Sequence, residues 1–264
     1  MVGKKLRKAY VYLLLAFFYL PIAVLVVYSF NENRTNRIWG GFSLRWYAAL
    51  FSDRQILSAL YYTLLCAALA TLVSTVIGTA SAIAIDAMEG RSRSLYLNLN
   101  YIPVINPDIV TGISMLLVFA SAGIRLGMAT MLIAHITFCT PYVILSILPK
   151  LKQMDRHLVE AALDLGATPM QALFKVVLPD IRAGVSTGAL LAFTLSVDDF
   201  AISFFNTGSG VTNLSIYVYS AAKKGISPEV NALSTVMILS VAILLFIVNK
   251  RSLNNNTSAK GEKL

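Results

Sequence analysis

Charge is what this sequence has least of. Only 13% of its 264 residues are Asp, Glu, Lys or Arg, about half of the ~25% usual in a soluble domain. With 57% hydrophobic residues and a mean hydropathy of +0.70, the chain is not a water-solvated globule. It reads as an all-α, polytopic membrane protein. Cysteine is scarce too. Cys66 and Cys139 are the only two, and both sit in apolar stretches, which excludes a disulfide framework and a Cys-rich metal site. Histidine is limited to His135 and His157, without HExxH or a neighbouring Cys pair, so no metal ligand set or catalytic dyad is expected. No GxxxxGK[ST] stretch occurs, and "TGSG" at Thr207–Gly210 lacks the following Lys. The chain therefore binds no nucleotide cofactor through such a loop.

What is present is long apolar runs. Six stretches are long enough to cross about 30 Å of hydrocarbon: roughly Tyr10–Phe30, Leu60–Ile85, Leu95–Ala120, Leu126–Leu148, Ala183–Phe205 and Ala232–Val248. The first follows a basic start but has no small-x-small cleavage site after it, so it is expected to stay as an uncleaved span. The net charge of +9 does not imply nucleic acid, because the charges sit at the ends of the apolar runs. With the N-terminus inside, the inner segments 1–9, 86–94, 149–182 and 249–264 hold 15 of the 22 Lys and Arg. That bias places both termini in the cytoplasm of a bacterial inner membrane, with anionic lipid as a secondary contact. The expected organisation is a cytoplasmic N-terminus at 1–9, a six-span domain at 10–248 containing the loop 149–182, and a polar, disordered tail at 249–264. In the segment between spans one and two, "SLRWYAALF" predicts a short amphipathic helix along the interface, or simply an aromatic belt at Trp46 and Tyr47.

The loop between spans four and five is unusually well formed. Asp155 stands where an N-cap belongs, and helix formers follow. Gly166 suits a left-handed C-cap. Thr168, Pro169 and Gln171 then spell a capping box with proline at the first helical position. Leu173, Phe174, Val176 and Val177 give the second helix an apolar side, and Pro179 ends or bends it. Two short helices joined at a glycine turn are predicted. They either dock another protein or hold spans four and five together.

This stretch, "VEAALDLGATPMQALFKVVLPDIRAG", resembles the signature of permease subunits of binding-protein-dependent ABC importers. Glu160, Ala161 and Ala162 match its opening, Gly166 its glycine, and Val177, Leu178 and Pro179 its close. Nearly the whole chain is similar to the C-type permeases of bacterial spermidine/putrescine importers, through "SFN", "PDIV", "HITFC", "LSVDDF" and "GISPEVNAL". The resemblance implies a cytoplasmic coupling hairpin that docks on an ATPase dimer. Glu160, Ala161, Ala162, Asp164, Gly166, Phe174, Leu178 and Pro179 would form that contact. It also implies a second, homologous permease, a periplasmic solute-binding protein, a polyamine substrate, and ATP and Mg used by the partner ATPase alone. Ferric iron, thiamine or a phosphonate in the same importer class, an ion-coupled secondary transporter, and a membrane scaffold stay open as rivals.

Ionisable residues inside spans are costly and point to function. On straight helices, Asp108 falls about 20 Å and Asp198 and Asp199 about 23 Å from the inner end. Carboxylates at one height suit a cation path, with His135 as a further pore-facing candidate. Alternatively, Asp108 caps a half-helix after Pro107, Asp198 and Asp199 cap a re-entrant turn, and His135 bonds neighbouring helices.

Overall fold

The computed structural model describes residues 2–34, 38–155, 157–225, 228–240 and 242–243. The expected sixth span lies partly, and the expected tail wholly, outside them. Among the described residues the regular elements are all helices, apart from an isolated bridge between Asn31 and Phe42. The chain divides into two compact units, Met1–Leu57 with Tyr217–Leu264, and Ser58–Ile216.

In the first unit, α1 (Val2–Tyr28) carries a 23-residue apolar stretch, Leu6–Tyr28, none of it buried. The chain then folds into a tight loop around Asn31. This side chain is fully buried; its amide donates to the Ile38 carbonyl at 2.9 Å and its oxygen accepts from Gly40 N–H at 2.8 Å. Trp46 Nε1–H donates to the Asn31 carbonyl at 2.7 Å, and Ser29 Oγ meets the Tyr47 hydroxyl at 2.6 Å. The short helix expected around Trp46 exists as α2 (Arg45–Leu50). Its two aromatic residues are hydrogen-bonded into the loop, which a bare aromatic belt would not require.

The second unit begins within α3 (Arg54–Ala87), a helix of 34 residues and thus about 51 Å long. Next come α4 (Gly90–Ile105) and α5 (Asp108–Ser121), which meet at 106°. The expected third span is therefore not straight, and the straight-helix height of Asp108 does not apply. The cause is local. Asn106 precedes a proline, which disfavours the helical region, and Asn106 and Pro107 are both extended, with ψ of 141° and 140°. α6 (Met128–Gln153) is the central helix of this unit, and Phe138, Cys139, Val143, Ile147 and Leu151 of its buried face join the core. Lys150 and Lys152 lie in its last turn, where cations complement the helix dipole.

α7 (His157–Asp164), α8 (Pro169–Ala172), a π-helical turn (Leu173–Val177) and α9 (Leu178–Asp180) lead to α10 (Arg182–Asp198). The Pro169–Asp180 segment meets α10 at 69°. The expected fifth span is not one helix either. It breaks after Asp198, and α11 (Ala201–Asn206) follows. A further helix, α12 (Leu214–Lys224), starts in this unit and ends in the other, and residues 228–240 are helical as well. Among the described residues, α1, α3 and α6 are each long and apolar enough to cross a membrane, and the two bent pairs raise the number to five if each is one span.

Close approach of α10 to α6 rests on small side chains every fourth residue: Gly184, Gly188, Ala192 and Ser196, all buried. A Cβ at Gly188 would sit 3.2 Å from Val143 Cα, and one at Gly184 would sit 3.1 Å from the Ser146 carbonyl oxygen. In a membrane such small-residue stripes replace the hydrophobic effect as the basis of helix pairing, because lipid tails are as apolar as leucine.

Candidate functional sites

The hairpin is built from local chemistry. Asp155 Oδ1 accepts the His157 amide at 3.0 Å, opening α7. The end of α7 is a Schellman motif: Gly166 N–H donates to the Leu163 carbonyl at 2.9 Å and Ala167 N–H to the Ala162 carbonyl at 3.0 Å. That closure needs a left-handed residue, and Gly166 has φ of +85°. Thr168 Oγ1 then accepts Gln171 N–H at 3.3 Å, while Gln171 Oε1 accepts Thr168 N–H at 2.9 Å. This is the reciprocal capping box. The π turn that follows ends where Pro179, which has no N–H, could not have continued the ladder.

Of the residues expected to form the coupling contact, Glu160, Ala161, Asp164, Gly166, Phe174 and Pro179 are exposed, and Ala162 and Leu178 are half-buried. Glu160 pairs with His157 on its own helix at 3.1 Å. Ala172 and Val177 turn inward and are buried. Outward, Leu165 is 90%, Met170 63% and Phe174 60% exposed. The hairpin therefore presents an apolar face that the chain itself leaves uncovered.

The second candidate site lies at the break between α10 and α11. Asp199 is buried there and caps α11: Oδ1 accepts Ile202 N–H at 3.1 Å and Oδ2 accepts Ser203 N–H at 2.7 Å. His135, 1% exposed on α6, bridges the break, with Nδ1 2.7 Å from Ser196 Oγ and Nε2 2.9 Å from Ser203 Oγ. Nε2 is also 3.5 Å from Asp199 Oδ2. Asn213 Nδ2–H donates to Ser203 Oγ at 2.7 Å, and Thr63 Oγ1 of α3 accepts Leu214 N–H at 2.8 Å. Asn206 Nδ2–H reaches the Gly112 carbonyl of α5 at 3.1 Å, and Thr130 Oγ1–H donates to the Asn206 carbonyl at 2.8 Å. α11 is thereby tied to α5 and α6, and the start of the next helix, at Leu214, to α3.

The four carboxylate and imidazole candidates thus separate. Asp199 and His135 are committed to internal hydrogen bonds. Asp198 and Asp108 are exposed. Asp108 opens α5, where a negative charge complements the dipole, and it lies within electrostatic reach of Asp199. Sequence reasoning missed Ser196, Ser203, Asn206, Asn213, Thr63 and Thr130. The only signal available for Ser196 was its place in the four-residue stripe with Gly184, Gly188 and Ala192. Among the described residues, no three His, Cys, Asp or Glu side chains gather to hold a metal ion.

Residues 74–250 match the family described as "Binding-protein-dependent transport system inner membrane component". The spermidine/putrescine transport system permease protein PotC of Shigella flexneri is 36% identical over 261 residues, covering 99% of this chain and 98% of that protein. The putrescine transport system permease protein PotI of Escherichia coli (strain K12) is 40% identical over 239 residues, covering 88% of this chain and 85% of the relative. A chain of a bacterial ABC transporter that imports the acidic polysaccharide alginate superposes with a TM-score of 0.74 at 16% identity, over 94% of this chain and 96% of that one, which speaks for the fold alone. The chain is thus a multi-pass inner-membrane protein that belongs to the binding-protein-dependent transport family, a non-ATPase permease subunit of an ABC importer related to the spermidine/putrescine systems.

Proposed function

We propose that the chain passes polyamines, spermidine or putrescine, into the cytoplasm as one of two homologous permeases. The observation that carries this reading is similarity along nearly the full length to permeases of spermidine/putrescine and putrescine transport. In this reading the chain forms six spans with both termini cytoplasmic. A periplasmic binding protein delivers the solute, and an ATPase dimer that uses ATP and Mg docks on the hairpin. The exposed Leu165, Met170 and Phe174 beside Glu160, Ala161, Ala162, Asp164 and Gly166 support that docking. The membrane helices hold the solute weakly, since a conduit must release what it binds. In this reading the exposed Asp108 and Asp198 would meet an ammonium group, while Asp199 and His135 hold the α10–α11 break in shape.

The test is uptake by proteoliposomes carrying the full complex, with spermidine, putrescine, thiamine and ferric iron compared. Polyamine uptake that needs ATP, and that falls in Asp108→Asn and in Asp198→Asn, supports the reading. Uptake of another solute instead, or unchanged uptake in both variants, removes the polyamine path. Solute flux without the ATPase would favour a secondary transporter.

A further inference from the structure

Three threonines on α3 stand apart from neighbouring hydroxyls. Thr63 on the same helix, and Thr140 and Ser146 on α6, each donate to the carbonyl four residues back, at 2.8, 2.7 and 2.8 Å. Thr71, Thr75 and Thr79 do not. Their hydroxyl oxygens are closed to solvent and have no hydrogen-bond partner, and Thr79 as a whole is only 8% exposed. A buried hydroxyl left unpaired is destabilising. These three recur at every fourth residue, about 6 Å apart along the helix, so they form a row rather than scattered defects.

Helix geometry shows where the row lies. At about 100° per residue, Thr71, Thr75, Gly78 and Ala82 share one arc of about 60° on α3, and Thr79 continues the row beside it. That arc faces α6. A Cβ at Gly78 would sit 2.7 Å from Val143 Cγ1 and 3.4 Å from the Thr140 carbonyl oxygen, and Ala82 joins Val143 and Ile147 in the core. Among the described residues, the polar ties of α3 to its neighbours lie outside this stretch. Thr63 accepts the Leu214 amide at 2.8 Å, and Asp86 pairs with Arg93 at 3.0 Å. Between those ties the α3–α6 contact is packing, which can part without breaking a hydrogen bond. We infer that this contact opens during the transport cycle and that Thr71, Thr75 and Thr79 then line the solute path, their oxygens accepting N–H from ammonium groups and O–H from water. The inference rests on the polyamine reading above. Extended putrescine has five bonds of about 1.5 Å between its nitrogens, which sets them about 6 Å apart, the rise between successive threonines. A neutral oxygen attracts an ammonium group less than a carboxylate does, and a conduit must release what it binds.

The test uses the full importer in nanodiscs, with Thr75→Cys placed in a Cys66→Ala, Cys139→Ala chain. Labelling of this chain by a small cationic methanethiosulfonate is compared without nucleotide and with the ATPase trapped by ATP and vanadate. A minor conformation is populated to about 10% at most, so the state that opens the contact should label at least about tenfold faster than the other. Saturating putrescine should slow that labelling. Thr75→Val keeps the shape of the side chain and removes its hydroxyl. It should raise the melting temperature of the nanodisc-embedded chain yet lower polyamine uptake by the complex in proteoliposomes, a combination that a purely structural threonine would not give. Equal labelling in both states, or none in either, overturns the opening. Labelling that putrescine does not slow, or unchanged uptake in Thr71→Val, Thr75→Val and Thr79→Val alike, overturns the solute contact. If the wild-type complex takes up no polyamine while labelling still follows the nucleotide, the function proposed above is what fails, and the lining stands.

Discussion

His135 Nε2 lies 3.5 Å from Asp199 Oδ2, and both side chains are almost wholly withdrawn from solvent. The pair joins the N-terminal third of α6 to the point where α10 ends and α11 begins. Asp199 accepts two backbone amides of α11, so its position sets where that helix starts. Asp199→Ala should cost about 2 kcal/mol, combining a lost N-cap with orphaned buried donors. Asp199→Asn keeps one amide acceptor and should cost about half as much. His135→Ala leaves Ser196 without this partner and should cost about 1–3 kcal/mol. Thermal unfolding of the protein in nanodiscs checks the order. Equal melting temperatures for all three variants and wild type would mean that the network contributes nothing to stability.

The glycine stripe on α10 gives a second test. A Cβ at Gly188 would press on the Val143 backbone at 3.2 Å, and backbone yields less readily than a side-chain tip. Gly188→Val should destabilise by about 1–3 kcal/mol through overpacking, and Gly188→Ala by less. Gly127 provides the control. Its backbone is extended, with φ of 176°, and nothing lies within 4 Å of a Cβ built there. Gly127→Ala should leave the melting temperature within about 1 °C, because surface substitutions away from packed features usually change little. A Gly188→Val melting curve that overlays the Gly127→Ala curve would rule out tight α6–α10 packing.

The contrast between the hairpin and the bent spans shows what the sequence made legible. Asp155, Gly166, Thr168 and Gln171 act over two to five residues, so their types and spacing announce the caps and the turn. Pro107 was equally visible, but proline predicts only that regular helix stops. The 106° angle follows from two successive extended residues. The break at Asp199 had no Pro or Gly to mark it. It depends on bonds to Ser203 and the nearby His135, which is distant in sequence, and no local pattern encodes that. The same reason hid Asn206 and Asn213, whose partners include Gly112 and Ser203. The stripe Gly184, Gly188, Ala192, Ser196 was written plainly at helical spacing and shows which face of α10 is packed.

The cluster of Asp53, Tyr217 and Glu229 supplies a pH test outside the expected spans. Burial, and after it the charge of Asp53, raises the Glu229 carboxyl above its ordinary value of 4.5. The folded protein therefore holds this proton more tightly than the unfolded chain does. The resulting stabilisation is present below the ordinary value and is lost as pH rises through the raised one. Glu229→Gln removes the ionisation. The variant should match wild type in acid and become the more stable of the two as pH approaches neutrality. Melting temperatures between pH 4 and pH 8 decide this, and a constant gap across that range would exclude Glu229 as the source of any pH dependence.

The uncovered face of the hairpin allows docking to be separated from folding. Leu165 is 90% exposed and Phe174 60%, so neither side chain contributes much to the packing of the isolated subunit. Leu165→Ser and Phe174→Ala should change stability by no more than about 0.5 kcal/mol. If the face meets the ATPase, each side chain becomes buried on association, and a central apolar anchor typically contributes about 2 kcal/mol. That corresponds to roughly a 30-fold weaker complex. Gly166→Val acts differently, because it forces a β-branched residue to φ of +85°, which displaces the whole turn. Affinity of the ATPase for nanodisc-embedded permease, measured beside the melting temperature, distinguishes the cases. Weaker binding at an unchanged melting temperature for Leu165→Ser and Phe174→Ala identifies the docking face. Full affinity in both would assign the hairpin to holding α6 and α10 together instead.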